Sequence, residues 1–540
     1  MRKRGRSLLD LAGSLDNLMA SGNDYRVAKS PSLSRSGEED DSQSSKSNSN
    51  AKDSNRVSSS LITANTSYEQ IDSQKSTGSA FATEINFFCK EEEEMADMCI
   101  YLARAAASAR TQEALIALVK HFITHGASTV MLSLKRPGLQ SKLLDILCNS
   151  STGGIKNEQQ FLYFRFFVFI VKMCEIEVLC EISLVRFLLL HCQSPQEGSN
   201  TAISVTTSQS THWSQRVKRV PTVAVSQRQD LTELTEVVNT LLGQKEDNTS
   251  MASMSLRALL DITFRQNNNL AIFADSSICL IFAELNGFDV VSALLCKNEC
   301  EDALHLLEVV TLCEGLRSTH SLALQKTALH LGRLITREDD DNHPKINAAL
   351  RVLTNVTGLV PSVLSGQEKE CRALANKAAK TLLDDEVMPD TLAFTLCFTT
   401  NIVKWEARQG YMDFTSSLVD SPLFLTRIAS LTFRAYHAED TEKNVLAGYY
   451  ALLLAVLSLN AAPSLELRIS VMTAVAEATK GTDAGKKFES KPMTLIVAIL
   501  QEFLFFQSSA GSLTKDSLLS MNNIIESVVK RNNIEVTSDD

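Results

Sequence analysis

The scarcity of helix-breaking residues is the feature of this sequence that most constrains its fold. The chain has 540 residues but only 10 Pro and 21 Gly. Both residue types interrupt helices, whereas β-sandwiches and barrels need them at their many turns. Because 44% of the residues are hydrophobic, the chain can also bury a sizeable core. We therefore predict an all-α protein, built as roughly three or four domains or as one long repeat array.

Apolar residues recur at helical spacing from about residue 85 to residue 532. Three examples are Ala303, Leu306, Leu307 and Val310; Leu446, Tyr450, Leu453 and Leu457; and Ile496, Leu500, Phe503 and Leu504. Each stripe is best interpreted as core packing. We count roughly twenty helical segments, or about 40 to 45 residues per helix pair, which is the period of HEAT and armadillo arrays. The predicted fold is an elongated HEAT/armadillo-like helical repeat array, although no strict sequence repeat accompanies the period.

Composition divides the chain into five segments. Residues 1–82 are predicted to be a disordered tail, because 20 of the first 80 residues are Ser and large apolar side chains are rare there. Residues 83–192 and 229–532 are predicted helical repeats. Between them, residues 193–228 are rich in Ser, Thr, Gln and Val, and we interpret them as a flexible insertion. Residues 533–540 form a short terminal tail.

Charge and cysteine usage narrow the class of protein. The 53 Lys and Arg against 63 Asp and Glu give a net charge of -10, which argues against a general nucleic-acid coat. The 12 Cys have no framework-like spacing and suit a reducing cytosol or nucleus. The most apolar stretch, Phe161 to Cys180, contains four charged residues. We predict one buried helix there and no membrane-spanning segment.

Candidate metal ligands are few and incomplete. His121 and His125 lie four residues apart on a predicted helix, a spacing that can bring two imidazoles to one metal ion. No Cys, Asp or Glu of suitable spacing lies near them, so ordinary surface histidines are the favoured interpretation. Cys296 and Cys300 have no second pair that would complete a zinc site. Glu338–Asp341 lacks the alternation and the glycine of a calcium loop, and we predict a solvated linker.

Catalytic motifs are missing from the sequence. It contains no Gly-x-Ser-x-Gly, His-Glu-x-x-His or Gly-x-Gly-x-x-Gly pattern. Gly481–Lys487 imitates a phosphate-binding loop, but its glycines are one residue too close and the Ser or Thr that would hold magnesium is missing. We therefore expect a binding scaffold with no enzymatic activity, catalytic residue, cofactor or metal. A helical enzyme with a site around His121 and His125 is the weaker alternative.

The later helices carry a more specific signal in five segments. These are Phe282–Asp289, Ala303–Thr311, Arg351–Thr357, Ala447–Ser458 and Leu500–Phe506. The fourth, which begins Ala-Gly-Tyr-Tyr-Ala-Leu-Leu-Leu, is similar to Ala-Ser-Tyr-x-Ala-Leu-Leu-Leu in the wings apart-like (WAPL) cohesin-release family. The fifth, Leu-Gln-Glu-Phe-Leu-Phe-Phe, is similar to that family's Leu-Lys-Lys-Phe-Leu-x-Phe. As in that family, we predict a terminal helix pair, here Met493 to Gln507 and Leu513 to Lys530. All five keep the family's order and rough spacing, and the resemblance covers about residues 250 to 532.

The resemblance implies a cohesin-binding domain. Such a domain promotes release of cohesin from chromatin without ATPase activity of its own, and so acts in sister-chromatid cohesion and chromosome segregation through the mitotic and meiotic cell cycle. The implied partners are cohesin subunits (the kleisin, the SMC heads and the HEAT-repeat subunits) and the HEAT-repeat regulator that acts with this family. Sequence-specific nucleic acid and membranes are not implied. The implied location is nuclear chromatin, with a cytoplasmic pool also compatible.

The chain also departs from that family. The Phe-Gly-Phe and Tyr-Ser-Arg motifs of the vertebrate N-terminal tails do not occur in it. The similar residues are mostly packing residues, so the resemblance assigns no protein-binding residue. From periodicity alone, a generic HEAT or armadillo adaptor unrelated to cohesin remains the alternative.

Overall fold

The computed structural model describes residues 93–534 with several gaps. The gaps are 102–103, 105–110, 127–129, 131–137, 151–156, 194–249, 270–276, 299, 314, 317–319, 338–342, 439, 461–464, 483–485, 487–490 and 511–514. The predicted tail at 1–82, nearly all of the predicted insertion at 193–228 and positions 535–540 therefore lie outside the described residues.

Every regular element in the described part of the chain is a helix, which confirms the predicted all-α helical repeat fold. Residues 93–101 are helical. The next helices are α1 (Thr111–His125), α2 (Leu139–Ser150), α3 (Asn157–Met173), α4 (Ile176–Leu179) and α5 (Ile182–Cys192). After residue 249 come α6 (Met251–Asn269), α7 (Ser277–Glu284), α8 (Gly287–Ser292), α9 (Cys300–Val310), α10 (Ser321–Arg337), α11 (His343–Leu359) and α12 (Glu368–Leu383). The last are α13 (Pro389–Gln409), α14 (Asp413–Leu418), α15 (Phe424–Tyr436), α16 (Thr441–Ser458), α17 (Leu465–Thr479), α18 (Met493–Ser509) and α19 (Lys515–Arg531).

The helices after residue 249 pack in two rows. Helices α6, α9, α11, α13, α16 and α18 follow one another in the first row, each against the next. Helices α8, α10, α12, α15 and α17 do the same in the second row. Chain neighbours pair across the rows, as α10 does with α11 and α12 with α13. Each helix therefore contacts chiefly its neighbours in the array, which is the packing expected of a helical repeat protein.

Two buried asparagines reveal a structural repeat that the sequence analysis missed. On α11, Asn355 Nδ2 donates to the Glu308 carbonyl and to Thr311 Oγ1, both at 3.2 Å. On α13, Asn401 Nδ2 donates to the Thr354 carbonyl at 3.3 Å and to Thr357 Oγ1 at 3.1 Å. In both cases the partners precede the asparagine by 47 and 44 residues. The same register thus joins three successive helices of the first row, close to the period that the helix spacing predicts.

Helix α16 forms the centre of the C-terminal core. It packs against α13, α15, α17, α18 and α19, so Val445–Ser458 is buried on every side. The predicted apolar stripe from Leu446 to Leu457 is thus confirmed as core, although it is only part of the buried surface. The predicted terminal helix pair is also confirmed, as α18 and α19. Arg531 closes this end of the fold, because its guanidinium donates to the carbonyls of Leu459 and Asn460 at the end of α16.

A glycine sets how closely α16 approaches α18. A Cβ atom added to Gly448 would lie 2.2 Å from Cδ2 and 2.3 Å from Cγ of Phe503. The Phe503 ring is itself buried and makes an edge contact with Tyr449, with 5.3 Å between the ring centroids. The ring cannot rotate away without displacing other core side chains, so the helix axes themselves would have to separate.

We expect Gly448→Ala to lower the free energy of unfolding by about 1–3 kcal/mol, the usual cost of overpacking a core. This loss should appear even though alanine favours helix by about 1 kcal/mol over glycine. Gly332→Ala on α10 is the matched control, because its added Cβ would meet Leu374 Cδ2 at an ordinary 3.8 Å. Urea denaturation of both variants checks the prediction, and equal stability of the two would contradict it.

The prediction of one buried helix from Phe161 to Cys180 was wrong in one respect. The chain breaks between α3 and α4 at Cys174 and Glu175. The backbone groups at the break are satisfied by other helices, because Glu175 N–H donates to Gln140 Oε1 at 3.0 Å and the Cys174 carbonyl accepts from Arg265 Nη2 at 2.6 Å. Arg265 belongs to α6, so the helical packing continues from α3 to α6 across residues 194–249.

The cysteines behave as buried core residues. No described cysteine is in a disulfide, and most are buried. Burial raises the pKa of the Cys148, Cys174 and Cys371 thiols to about 12, which suppresses their reactive thiolate form at neutral pH.

Within the described residues, none of the helices combines the length and the hydropathy that a bilayer crossing requires.

Candidate functional site

An open, aromatic-lined groove lies where α15, α16 and α18 meet. It encloses about 290 Å³. The lining residues are Tyr436 from the end of α15, Thr441, Asn444 and Val445 from the start of α16, and Ile499, Glu502, Phe503, Phe505 and Phe506 from α18. We call this surface the α18 groove. Its most prominent side chain is Phe505, which is 74% exposed.

Helix periodicity explains how α18 presents one face to the core and another to the groove. Ile496, Leu500 and Phe503 are buried, as the sequence stripe predicts, whereas Leu504 is only half-buried. Phe505 follows Phe503 by two residues, so Phe503 lines the groove from its core side and Phe505 lines it from its solvent side. Phe505 therefore leaves apolar surface in water beside the groove.

A hydrogen bond between Tyr436 and Glu502 fixes one side of the groove. The Tyr436 hydroxyl donates to Glu502 Oε2 at 2.7 Å. This hydrogen bond to a carboxylate, together with partial burial, raises the pKa of Tyr436 to about 12. The phenol therefore stays protonated at neutral pH and holds α15 against α18. At the start of α16, the Asp440 carboxylate accepts from Glu442 N–H at 3.0 Å and caps the helix.

The α18 groove is lined mainly by aromatic and aliphatic side chains. Its lining residues include no Cys, His or Lys. A carboxylate and a phenol stand at its edge, so the groove suits an apolar group.

The structure brings a carboxylate to the two candidate histidines. His121 and His125 share one face at the end of α1, with ring centroids 4.4 Å apart. Glu94, from the helical residues 93–101, offers a ligand atom within 4.8 Å of theirs. The sequence analysis found no third residue of suitable spacing, because it considered spacing along the chain and Glu94 comes from another helix. In the part of the chain that the structure describes, only these residues form such a group.

The other candidate metal ligands from the sequence form no group of three in the described residues. Cys296 is exposed in the turn before α9, whereas Cys300 is buried on α9, so the two thiols face different environments. Glu338–Asp341 lies outside the described residues. The sequence 481–487, which imitates a phosphate-binding loop, begins just after α17. Its first residue, Gly481, has a φ of 85°, the left-handed conformation that glycine commonly adopts where a helix ends.

Comparisons with known proteins identify no family. No family model matches the chain, and no curated protein matches it. Among solved structures, an engineered protein from a structural genomics consortium is similar over 80% of this chain and 98% of its own, at 15% identity and a TM-score of 0.33. A similarity this weak carries no argument about function.

Proposed function

We propose that this chain is a non-enzymatic regulator of cohesin, which docks on the ring and on its HEAT-repeat partner and promotes release of cohesin from nuclear chromatin. The resemblance of five segments to the WAPL family motivates the proposal. The helical repeat fold supports it, because stacked helix pairs present long surfaces for protein contact.

The observation that carries the proposal is that four of the five family-like segments pack against one another in two pairs. In the first pair of segments, Asn355 contacts Thr311, and Arg351 Nε lies 3.1 Å from Glu308 Oε1. In the second pair, Gly448 is the close neighbour of Phe503. Segments that are far apart in the sequence, and that are each similar to the family, are thus in contact in the fold. Such contacts are expected if the resemblance reflects a shared scaffold.

The proposed mechanism is differential binding. A protein without catalytic groups can open a ring only by binding one conformational state more tightly than another. The energy of ring opening then comes from that difference in affinity and from the ATPase of the SMC heads, which the resemblance assigns to cohesin itself. We propose the α18 groove as a contact for an apolar side chain of a cohesin subunit.

The phenylalanines of the groove include two that match the family pattern and one that does not. Phe503 and Phe506 stand at phenylalanine positions of the family pattern, and both line the groove. Phe505 stands at the family's variable position, so its exposure is a property of this chain. A change at Phe505 can therefore test the groove without disturbing the shared packing.

The test is binding of the purified full chain to immobilised cohesin, with and without its HEAT-repeat subunit. We expect specific binding, and we expect Phe505→Asp to weaken it at least about tenfold, as loss of a central aromatic contact does. Leu322→Asp on α10 is the matched control, because Leu322 is also exposed.

The outcomes separate the parts of the proposal. Binding that Phe505→Asp weakens and Leu322→Asp does not would support both the cohesin partner and the groove. Equal binding of the two variants would exclude the groove. Failure of the chain to bind any cohesin subunit or regulator would contradict the proposal and favour an adaptor of another pathway.

A further inference from the structure

Three metal-ligating side chains meet at the end of α1. His121 and His125 stand one helical turn apart, and Glu94 reaches them from the helical residues 93–101. One potential ligand atom of each lies within 4.8 Å of the other two. We propose that Glu94, His121 and His125 bind a divalent transition-metal ion, for which Zn²⁺ is the best fit. This inference does not depend on the proposed function.

The donor set selects the class of ion. Two imidazole nitrogens and one carboxylate oxygen form a set that Zn²⁺ and neighbouring transition metals prefer. Ca²⁺ and Mg²⁺ are bound chiefly by oxygen and are disfavoured by two histidines. Three protein ligands leave the fourth tetrahedral position open, and a water molecule would fill it.

The spacing of the donors fits a tetrahedral ion after a small adjustment. Bonds of about 2.0–2.2 Å in a tetrahedron place ligand atoms about 3.3 Å from one another. Closing from 4.8 Å requires the donors to approach by up to about 1.5 Å. The three side chains are partly exposed, so rotation about their side-chain torsions supplies this without moving the helices.

The surrounding structure favours a cation and holds the two helices in place. His125 is the last residue of α1, where the aligned peptide dipoles leave partial negative charge. Met95 and Cys99 on one helix and Leu118 and Phe122 on the other are fully buried. These apolar neighbours anchor the two backbones while the ligands stay accessible. A bound ion would therefore crosslink residues 93–101 to α1.

The test is zinc titration of the full chain after treatment with EDTA, in competition with a chromophoric chelator. We expect His121→Ala and Glu94→Gln each to raise the Kd of one zinc equivalent about 100-fold or more, because even changes outside the ligand set cost about 10–100-fold. His305→Ala on α9 is the matched control. His305 has Glu301 3.9 Å away, one turn earlier, but among the described residues the two belong to no group of three potential ligands.

Co²⁺ provides a second measurement, since its visible absorption reports the ligand set. The chain should show tetrahedral bands that His125→Ala abolishes and His305→Ala preserves. Circular dichroism of each variant confirms that the fold is intact, as expected for changes at partly exposed positions. Titration curves for His121→Ala that superpose on those of the unchanged chain would overturn the site. Loss of affinity in the histidine variants but not in Glu94→Gln would overturn the three-ligand arrangement.

Discussion

Glu406→Ala is expected to lower the free energy of unfolding by about 3–4 kcal/mol, because it removes a buried carboxylate that accepts three hydrogen bonds. The Glu406 carboxylate lies near the end of α13 and is only 3% exposed. It accepts from the backbone N–H groups of Phe414 and Thr415, each at 2.8 Å, and from Thr415 Oγ1 at 2.6 Å. Alanine would leave two buried N–H groups at the start of α14 without this acceptor.

Hydrogen exchange gives the sharpest readout of this substitution. Residues 411–418 should exchange faster in Glu406→Ala, because the carboxylate caps the first turn of α14. Glu386→Ala, in the exposed loop before α13, is the matched control and should change stability by less than about 0.5 kcal/mol. Glu406→Gln retains one carbonyl acceptor and should fall between the two. If Glu406→Ala were as stable as Glu386→Ala, the capping role would be excluded.

Asn355→Ala and Asn401→Ala are each expected to cost about 2–4 kcal/mol. Each asparagine is at least 97% buried and donates two hydrogen bonds to the preceding helix of the first row. Alanine removes both bonds between the helices and opens a small cavity, whereas Thr311 and Thr357 keep the hydrogen bonds that they donate within their own segments. Because the register is the same at both positions, the two losses should be similar in size.

Urea denaturation of the two variants measures these losses. Asn298→Ala, in the exposed turn before α9, serves as the control and should be nearly neutral. Two losses of similar size, both well above the control, would show that the asparagines stabilise successive repeats in the same way. If only one of the two variants lost stability, the two asparagines would not be equivalent in energy, even though their hydrogen-bond geometry is the same.

The spacing of apolar residues along the chain was enough to predict the helices. The stripe at Ala303, Leu306, Leu307 and Val310 is buried on α9, and the predicted terminal helices at 493–507 and 513–530 match α18 and α19 to within two residues. Such stripes report burial directly, because a helix places every third or fourth residue on one face. The same reasoning could not separate α3 from α4, since that break depends on Gln140 and Arg265 from other helices.

Contacts between helices could not be predicted in the same way. The approach of Gly448 to Phe503 and that of Glu94 to the histidines join residues on different helices, so no spacing rule within one helix reveals them. The asparagine register did leave a trace in the sequence, because Thr354-Asn355 and Thr400-Asn401 are the same dipeptide one period apart. A search for buried polar residues at the helix-pair period would have found it.

Depletion of the protein from cells, followed by imaging of cohesin on chromatin, tests the central claim most directly. If the chain promotes release, cohesin should stay on chromatin longer and interphase chromosomes should become more compact. Re-expression of the full chain should restore the residence time, whereas a cohesin-binding-deficient variant should not. Unchanged cohesin residence after depletion would contradict the proposed function and leave a helical repeat protein that acts on other partners.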